Sequence, residues 1–140
     1  MERYTFLPLL GRILIGAPFV MTGLGKLGSY AATVGLIKAI GLPVPPLAFA
    51  FAVIVELGGG LLLLSGYRVR FVSLVMAVFC VVTAVIFHRH FADQNQLFHF
   101  LKNVTMAGGL LQITYFGAGA FSLDARFGRA ALTARSAVLH

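Results

Sequence analysis

An all-α integral membrane protein, folded as an up-and-down four-helix bundle, is what this sequence predicts. Three observations carry that expectation. The 140-residue chain is 59% hydrophobic and only 11% charged, whereas a soluble domain carries about a quarter charged residues. Its apolar residues gather in four stretches, each near the ~20 residues a helix needs to cross a ~30 Å hydrocarbon layer. The connections between the last three stretches are short, which makes sequence neighbours antiparallel.

The first span is expected from about Phe6 to Leu24, the second from Pro46 to Leu64, the third from Val69 to Phe87 and the fourth from Phe98 to Ala118. Helices are required because backbone groups in lipid must be satisfied within the segment. Between the first two spans, Ser29 can cap a short helix over 30–40, which Gly41 ends and Pro43, Pro45 and Pro46 follow. Lying flat on the membrane surface suits its apolar members Val34, Leu36, Ile37 and Ile40. The tail over 122–140 interleaves Arg126, Arg129 and Arg135 with Phe121, Leu123, Phe127 and Leu132. It reads either as a segment resting on an anionic membrane surface or as a frayed basic end. The whole chain is expected to form one membrane domain.

Charge and cysteine content narrow the function classes. A net charge of +7 would point to nucleic acid in a soluble protein, but here the basic residues sit at the ends of apolar runs and orient the chain in a membrane. Arg3, Arg68, Arg70, Arg126, Arg129 and Arg135 fall on one side; Lys38 and Arg89, with Lys26 and Lys102, fall on the other. The first side is expected to be cytoplasmic, with both termini inside. The N-terminus lacks a cleavage-type leader, so the first stretch reads as a retained span. Cys80 is the sole cysteine, which excludes an intrachain disulfide and the relay of electrons between cysteine pairs.

Ionisable residues within or at the ends of apolar stretches mark function, because an unpaired charge at membrane depth costs about 2.5–3.5 kcal/mol. Arg12, Lys26, Glu56 and Lys102 are these residues, one acid against three bases. Arg12, Gly16, Phe19, Gly23 and Lys26 recur on one face of the first helix, with Arg12 and Lys26 about 21 Å apart along its axis. Glu56 lies near the middle of the second span, ahead of Gly58, Gly59 and Gly60. Similar depth makes Arg12–Glu56 the expected intramembrane ion pair, serving architecture. On the third span Ser73, Met76, Cys80, Thr83, Phe87 and His90 share a packing face. On the fourth, Lys102, Thr105, Gly109, Gln112 and Phe116 align beside Asn103, a polar face expected to line the interior. His88, Arg89, His90 and His99 crowd the same outer end as Lys26 and Lys102. No metal centre is expected, since His88 and His90 point to different faces and no acid cluster completes a set. A bis-histidine haem would need His88 or His90 to face His99 at the membrane edge.

The segments GRILIGAPFVMTGLGKL, VELGGGLLLLSGYRVR, IFHRHF, FLKNVTMAGGLL and GAGAFSLDAR resemble, in order and spacing, the DoxX family of small bacterial inner-membrane proteins, its YphA-like members in particular. The resemblance runs from about Gly11 to Asp124, with the stretch FADQNQL after His90 departing from the pattern. It implies a four-helix inner-membrane protein, related to subunits of quinone- or quinol-linked oxidoreductases, including thiosulfate:quinone oxidoreductase, and to redox-protection complexes.

The resulting expectation is an accessory subunit that binds a quinone, a quinol or a small anion in the periplasmic half of the bundle. Lys26, Lys102, His88, Asn103 and Gln112 are the candidate ligand-binding residues, with Lys26 and Lys102 supplying positive charge and Asn103 and Gln112 hydrogen bonds. Arg12 and Glu56 anchor the interior. No side chain here stores electrons, so redox chemistry would need a partner subunit or an external cofactor. Membrane lipid, a redox partner and further copies of the chain are the expected partners, and nucleic acid is not. A non-catalytic scaffold is the alternative reading, and a small oligomeric transporter the third.

Overall fold

The computed structural model describes residues 4–138, with side chains through Leu132. Among the described residues there are helices and connections but no strand. Six helices follow in order: α1 Leu7–Gly28, α2 Tyr30–Ala39, α3 Pro45–Ser65, α4 Val69–Phe87, α5 Gln94–Phe116 and α6 Leu123–Val138. Three of them, α1, α3 and α4, are long and apolar enough to cross a membrane. Helix α5 has the length, at 23 residues, but carries more polar side chains.

Local chemistry sets the boundaries. Pro8 opens α1 with its fixed φ. The helix then runs past the expected end at Leu24 to Gly28, where the Ser29 hydroxyl donates to the Gly25 carbonyl at 2.8 Å. The short helix expected over 30–40 is present as α2. It packs on the start of α3, with Tyr30 edge-on to Phe49 at 4.9 Å and Ile37 buried. Helix α5 begins four residues before the expected start, because the Asp93 carboxylate accepts from the Asn95 amide at 2.9 Å and caps the helix. The connection expected over 88–97 shrinks accordingly. The tail expected over 122–140 is helical through Val138, and its last two residues lie outside the described ones, as does Arg3 of the orientation count.

Helix α3 is not uniform. Residues Ile54–Gly58 form one π-helical turn carrying Glu56, the kind of local widening that commonly accompanies functional positions. Its far end stops at Gly66, in the left-handed region at φ 73°, which closes the helix as glycine does at this position.

Helices α1 and α3 pack antiparallel at close range. A Cβ added at Gly23 would lie 2.8 Å from the Leu57 backbone nitrogen, and one at Gly60 would lie 3.1 Å from the Gly16 carbonyl. Small residues at such crossings let backbones approach. Helices α4 and α5 pair along most of their length. Ser73 and Thr114 share a hydrogen bond of 2.8 Å towards one end, and His88 stacks on His99 at the other. Met76 and Cys80 of α4, Leu110 of α5 and Leu63 of α3 are fully buried in the common core.

The face of α5 turned inward differs from expectation. Lys102, Thr105, Gln112 and Phe116 are exposed, while Ala107 and Leu110 are buried. Packing selects the small and apolar side, because α4 presents Ala77 and Cys80 there; Thr105, Gln112 and Phe116 point away, while Lys102, though exposed, still borders the space between the helices.

Candidate functional site

Arg12 is fully buried and has no carboxylate partner among the described residues. Its Nη1 donates to the Leu63 carbonyl at 3.1 Å and the Leu64 carbonyl at 3.2 Å, and its Nη2 to the Phe121 carbonyl. Leu63 and Leu64 belong to the last turn of α3, whose carbonyls lack full helical partners, Leu63 accepting a backbone hydrogen bond only from the Gly66 amide at 3.2 Å, and carry the negative end of the helix dipole. Arg12 therefore caps α3 and holds the segment after α5 to it.

Asp124 completes this end. Its carboxylate accepts from the Arg68 amide at 2.7 Å and the Val69 amide at 2.9 Å, capping α4 from a distant part of the chain. Its own amide donates to the Gly66 carbonyl at 2.9 Å. The turn between α3 and α4 is thus fixed by a cation on the outgoing helix and an anion on the incoming one. Tyr67 also meets Phe127 of α6 edge-on at 6.1 Å.

The expected Arg12–Glu56 pair is not formed. Glu56 instead takes two hydrogen bonds from Lys26 Nζ, at 2.9 Å to Oε1 and 2.7 Å to Oε2. The reason is register. Gly23 faces Leu57 and Gly16 faces Leu64, so Glu56 lies level with the far end of α1 and Arg12 level with the α3–α4 turn. Sequence midpoints had placed the two charges a helical turn apart in depth, and the real offset is several turns.

Around the Lys26–Glu56 pair lies a cavity of about 180 Å³ between α1, α3, α4 and α5. Lys26, Glu56, His88, Lys102 and Asn103 supply its polar wall, and Phe19, Phe79 and Met106 much of the apolar one. Four of the five expected ligand-binding residues converge here. The fifth, Gln112, does not: it is exposed and stands about 15 Å further along α5 than Lys102. Glu56, expected to anchor the interior with Arg12, belongs to this cavity instead.

Each polar group in the wall has a definite state of satisfaction. His88 Nδ1 is 2.9 Å from Gln96 Oε1, and the Asn103 amide donates to the His99 carbonyl at 2.9 Å. The rings of His88 and His99 stack with centroids 5.0 Å apart. They meet by their faces, so their ring nitrogens do not converge on one point as a haem iron would require. Lys102 has no hydrogen bond or ion pair to any described residue. With Glu56 neutralised by Lys26, the cavity keeps one uncompensated positive charge, and it can attract an anion or hold an acceptor oxygen.

A second cavity, of about 310 Å³, adjoins the first across Lys26, Glu56, Phe79, Thr83 and His88. It lies under α2 and is lined mainly by apolar side chains, among them Leu36, Ile37, Ala48, Phe51 and Phe87. No sequence pattern signals this space directly, since an apolar side of α2 suits lipid equally well.

Apolar membrane-length helices with a small charged cavity at one end define an integral membrane protein of the small multi-helix class. The DoxX family model matches residues 7–89. Inner membrane protein YqjF of Escherichia coli (strain K12) is 38% identical over 116 residues, 83% of this chain and 88% of that protein. Inner membrane protein YphA of the same organism is 32% identical over 124 residues, 84% of this chain and 88% of that protein. The chain belongs to the DoxX family. No solved structure matches it.

Proposed function

We propose that the chain crosses the bacterial inner membrane four times as an up-and-down bundle with both termini cytoplasmic, and that its charged cavity binds a quinone, a quinol or a small anion. In this reading it is an accessory subunit of a quinone-linked oxidoreductase or redox-protection complex. The observation that carries it is the convergence of Lys26, Glu56, His88, Lys102 and Asn103 on one cavity with Lys102 unpaired. A quinone ring is flat and apolar with two acceptor oxygens, which matches aromatic and aliphatic walls with a few donors at the rim. Lys102 would donate to one oxygen. Glu56, held by Lys26, sits where a proton leaving a quinol could be taken up.

The placement in the membrane draws support from chemistry at the two ends. Arg68, Arg70, Arg126 and Arg129 lie at the end opposite Lys26, as the positive-inside rule requires of a cytoplasmic face. The relatives named above are inner-membrane proteins. The exposed polar stripe of α5, with Thr105 and Gln112, is unsuited to lipid, and it offers the surface on which a partner subunit or a second copy would pack.

The test is direct. Purified protein in nanodiscs is titrated with a dimethoxy-methyl-benzoquinone and, separately, with inorganic phosphate. Saturable binding of one of them is expected, weakened about tenfold by Lys102→Ala through loss of one charge-assisted hydrogen bond. If neither probe binds the folded wild-type protein, the ligand-binding reading is wrong. A scaffold reading is favoured by Arg12, whose hydrogen bonds all go to backbone carbonyls; it predicts that Lys102→Ala leaves cellular function intact.

A further inference from the structure

The polar cavity does not end at its apolar neighbour. Across the ion pair, the space under α2 continues to Phe51 and Phe79, whose rings stand 6.2 Å apart at 60°. Beyond them the same two rings line an open groove of about 350 Å³ on the outer surface of α3 and α4, floored by Leu74, Val75, Val78 and Val82. Three spaces thus follow one another in a fixed order of polarity: charged, mainly apolar, then almost wholly apolar on the outer surface.

We infer that the ligand is an amphiphile drawn from the bilayer, with its polar head in the Lys26–Lys102 cavity and its hydrocarbon tail under α2, and that the touching rings of Phe51 and Phe79, which stand between the tail space and the outer groove, part to admit it. The proposal deepens the proposed function, on which it rests for the identity of the head. It replaces a water-soluble ion by a membrane-soluble ligand.

Three features support this assignment. The apolar space under α2 is larger than the charged one, 310 against 180 Å³, the opposite of what a site for a small ion needs. Its roof is α2, which contributes Thr33, Leu36 and Ile37 and is tied to α3 through Tyr30 and Phe49. A roof of this kind shields a tail from water at the membrane edge. Finally, the sequence distance from His88 to Leu74 on α4 corresponds to about 21 Å of axial rise. That length carries a tail from the membrane surface past the centre of a ~30 Å layer, so its far end emerges among lipid tails.

Affinity alone is a poor readout, because a tail gains little on leaving lipid for an apolar cavity. Location is the informative quantity. Wild-type protein in nanodiscs is irradiated with a benzoquinone bearing a decyl chain that carries a photoreactive diazirine, and the labelled residues are mapped by mass spectrometry. Label is expected on Leu36, Ala48 and Ala52, suppressed by excess of the plain decyl homologue. Ala52→Trp, which fills the space, removes most of it; Ala48→Leu is a milder filling of the same wall should the tryptophan prevent folding. Label confined to outward residues such as Leu14 and Met21 overturns the tail compartment. If the tailless ring still binds in that case, the head site survives without it. Wall label that Lys102→Ala does not weaken supports the tail compartment and counts against the head site.

Discussion

Lys26 and Glu56 are joined by two hydrogen bonds across the α1–α3 crossing, and Glu56 makes them from the single π-helical turn in α3. This pair is the partition between the two cavities and contributes to the wall of both. A change in it is therefore felt on the polar and the apolar side together.

Removing one partner leaves the other charge in a largely apolar setting. Glu56→Gln is expected to destabilise the protein by about 1–3 kcal/mol, less than a fully buried pair because Lys26 keeps some exposure. Pairing Glu56→Gln with Lys26→Met should recover part of the loss. Thermal unfolding in detergent, run as a double-mutant cycle, measures the coupling; strictly additive losses would exclude it.

Arg12→Met keeps the volume and removes the donors from three carbonyls. A loss of about 3 kcal/mol is expected, and Arg12→Lys should restore little of it because one ammonium cannot span Leu63, Leu64 and Phe121 together. Limited proteolysis reports the local effect. Cleavage between Gly117 and Ser122 should accelerate in Arg12→Met well below the global unfolding temperature.

Asp124→Ala should cost about 1–2 kcal/mol by uncapping α4, and Asp124→Asn should cost less because its amide oxygen still accepts. Hydrogen exchange at the Arg68 and Val69 amides locates the change. Unaltered protection at both amides in Asp124→Ala would show that the cap is dispensable.

Glycines on α1 separate by position. Gly23→Ala is expected to lose about 1–3 kcal/mol through overpacking against Leu57, whereas Gly25→Ala, with open space at its Cβ, should gain a few tenths through helix propensity. Equal melting temperatures for the two variants would contradict the close crossing.

Gln112→Leu on the exposed stripe of α5 should leave the unfolding free energy of the isolated chain within about 0.5 kcal/mol of wild type. It should also reduce co-purification with a partner subunit or a second, differently tagged copy. Unchanged association would remove α5 as the contact surface.

Most of the helical layout was legible because the apolar runs are long and the connection between the first two is marked by Ser29, Gly41 and the prolines before α3. The start of α5 was missed for a local reason: Asp93 caps a first turn of polar residues that hydropathy reads as loop. The site was legible as a set of side chains but not as a set of pairs. Helix periodicity places Arg12 and Lys26 on one face, yet nothing in one helix specifies how far its neighbour slides along it. That offset is decided by Gly16, Gly23 and Gly60, and it exchanged the partner of Glu56. The inward face of α5 was misjudged because polarity was weighed above fit, while Ala107 and Leu110 meet the small residues of α4. Asp124 carried no signal of its own, since its two partners are backbone amides 55 and 56 residues away.

Arg12 and Phe121 are 109 residues apart, which has a consequence for biosynthesis. The arginine enters the membrane with the first helix, and the carbonyls of Leu63 and Leu64 become available midway through translation. Its last acceptor, and the carboxylate that holds the start of α4, are made only near the close of the chain. A nascent protein that has not yet reached Phe121 lacks one acceptor of the buried cation and the carboxylate that caps α4, both at the same end. This end of the bundle is therefore assembled only after the segment from Phe121 to Asp124 has been made, however early its arginine enters the membrane.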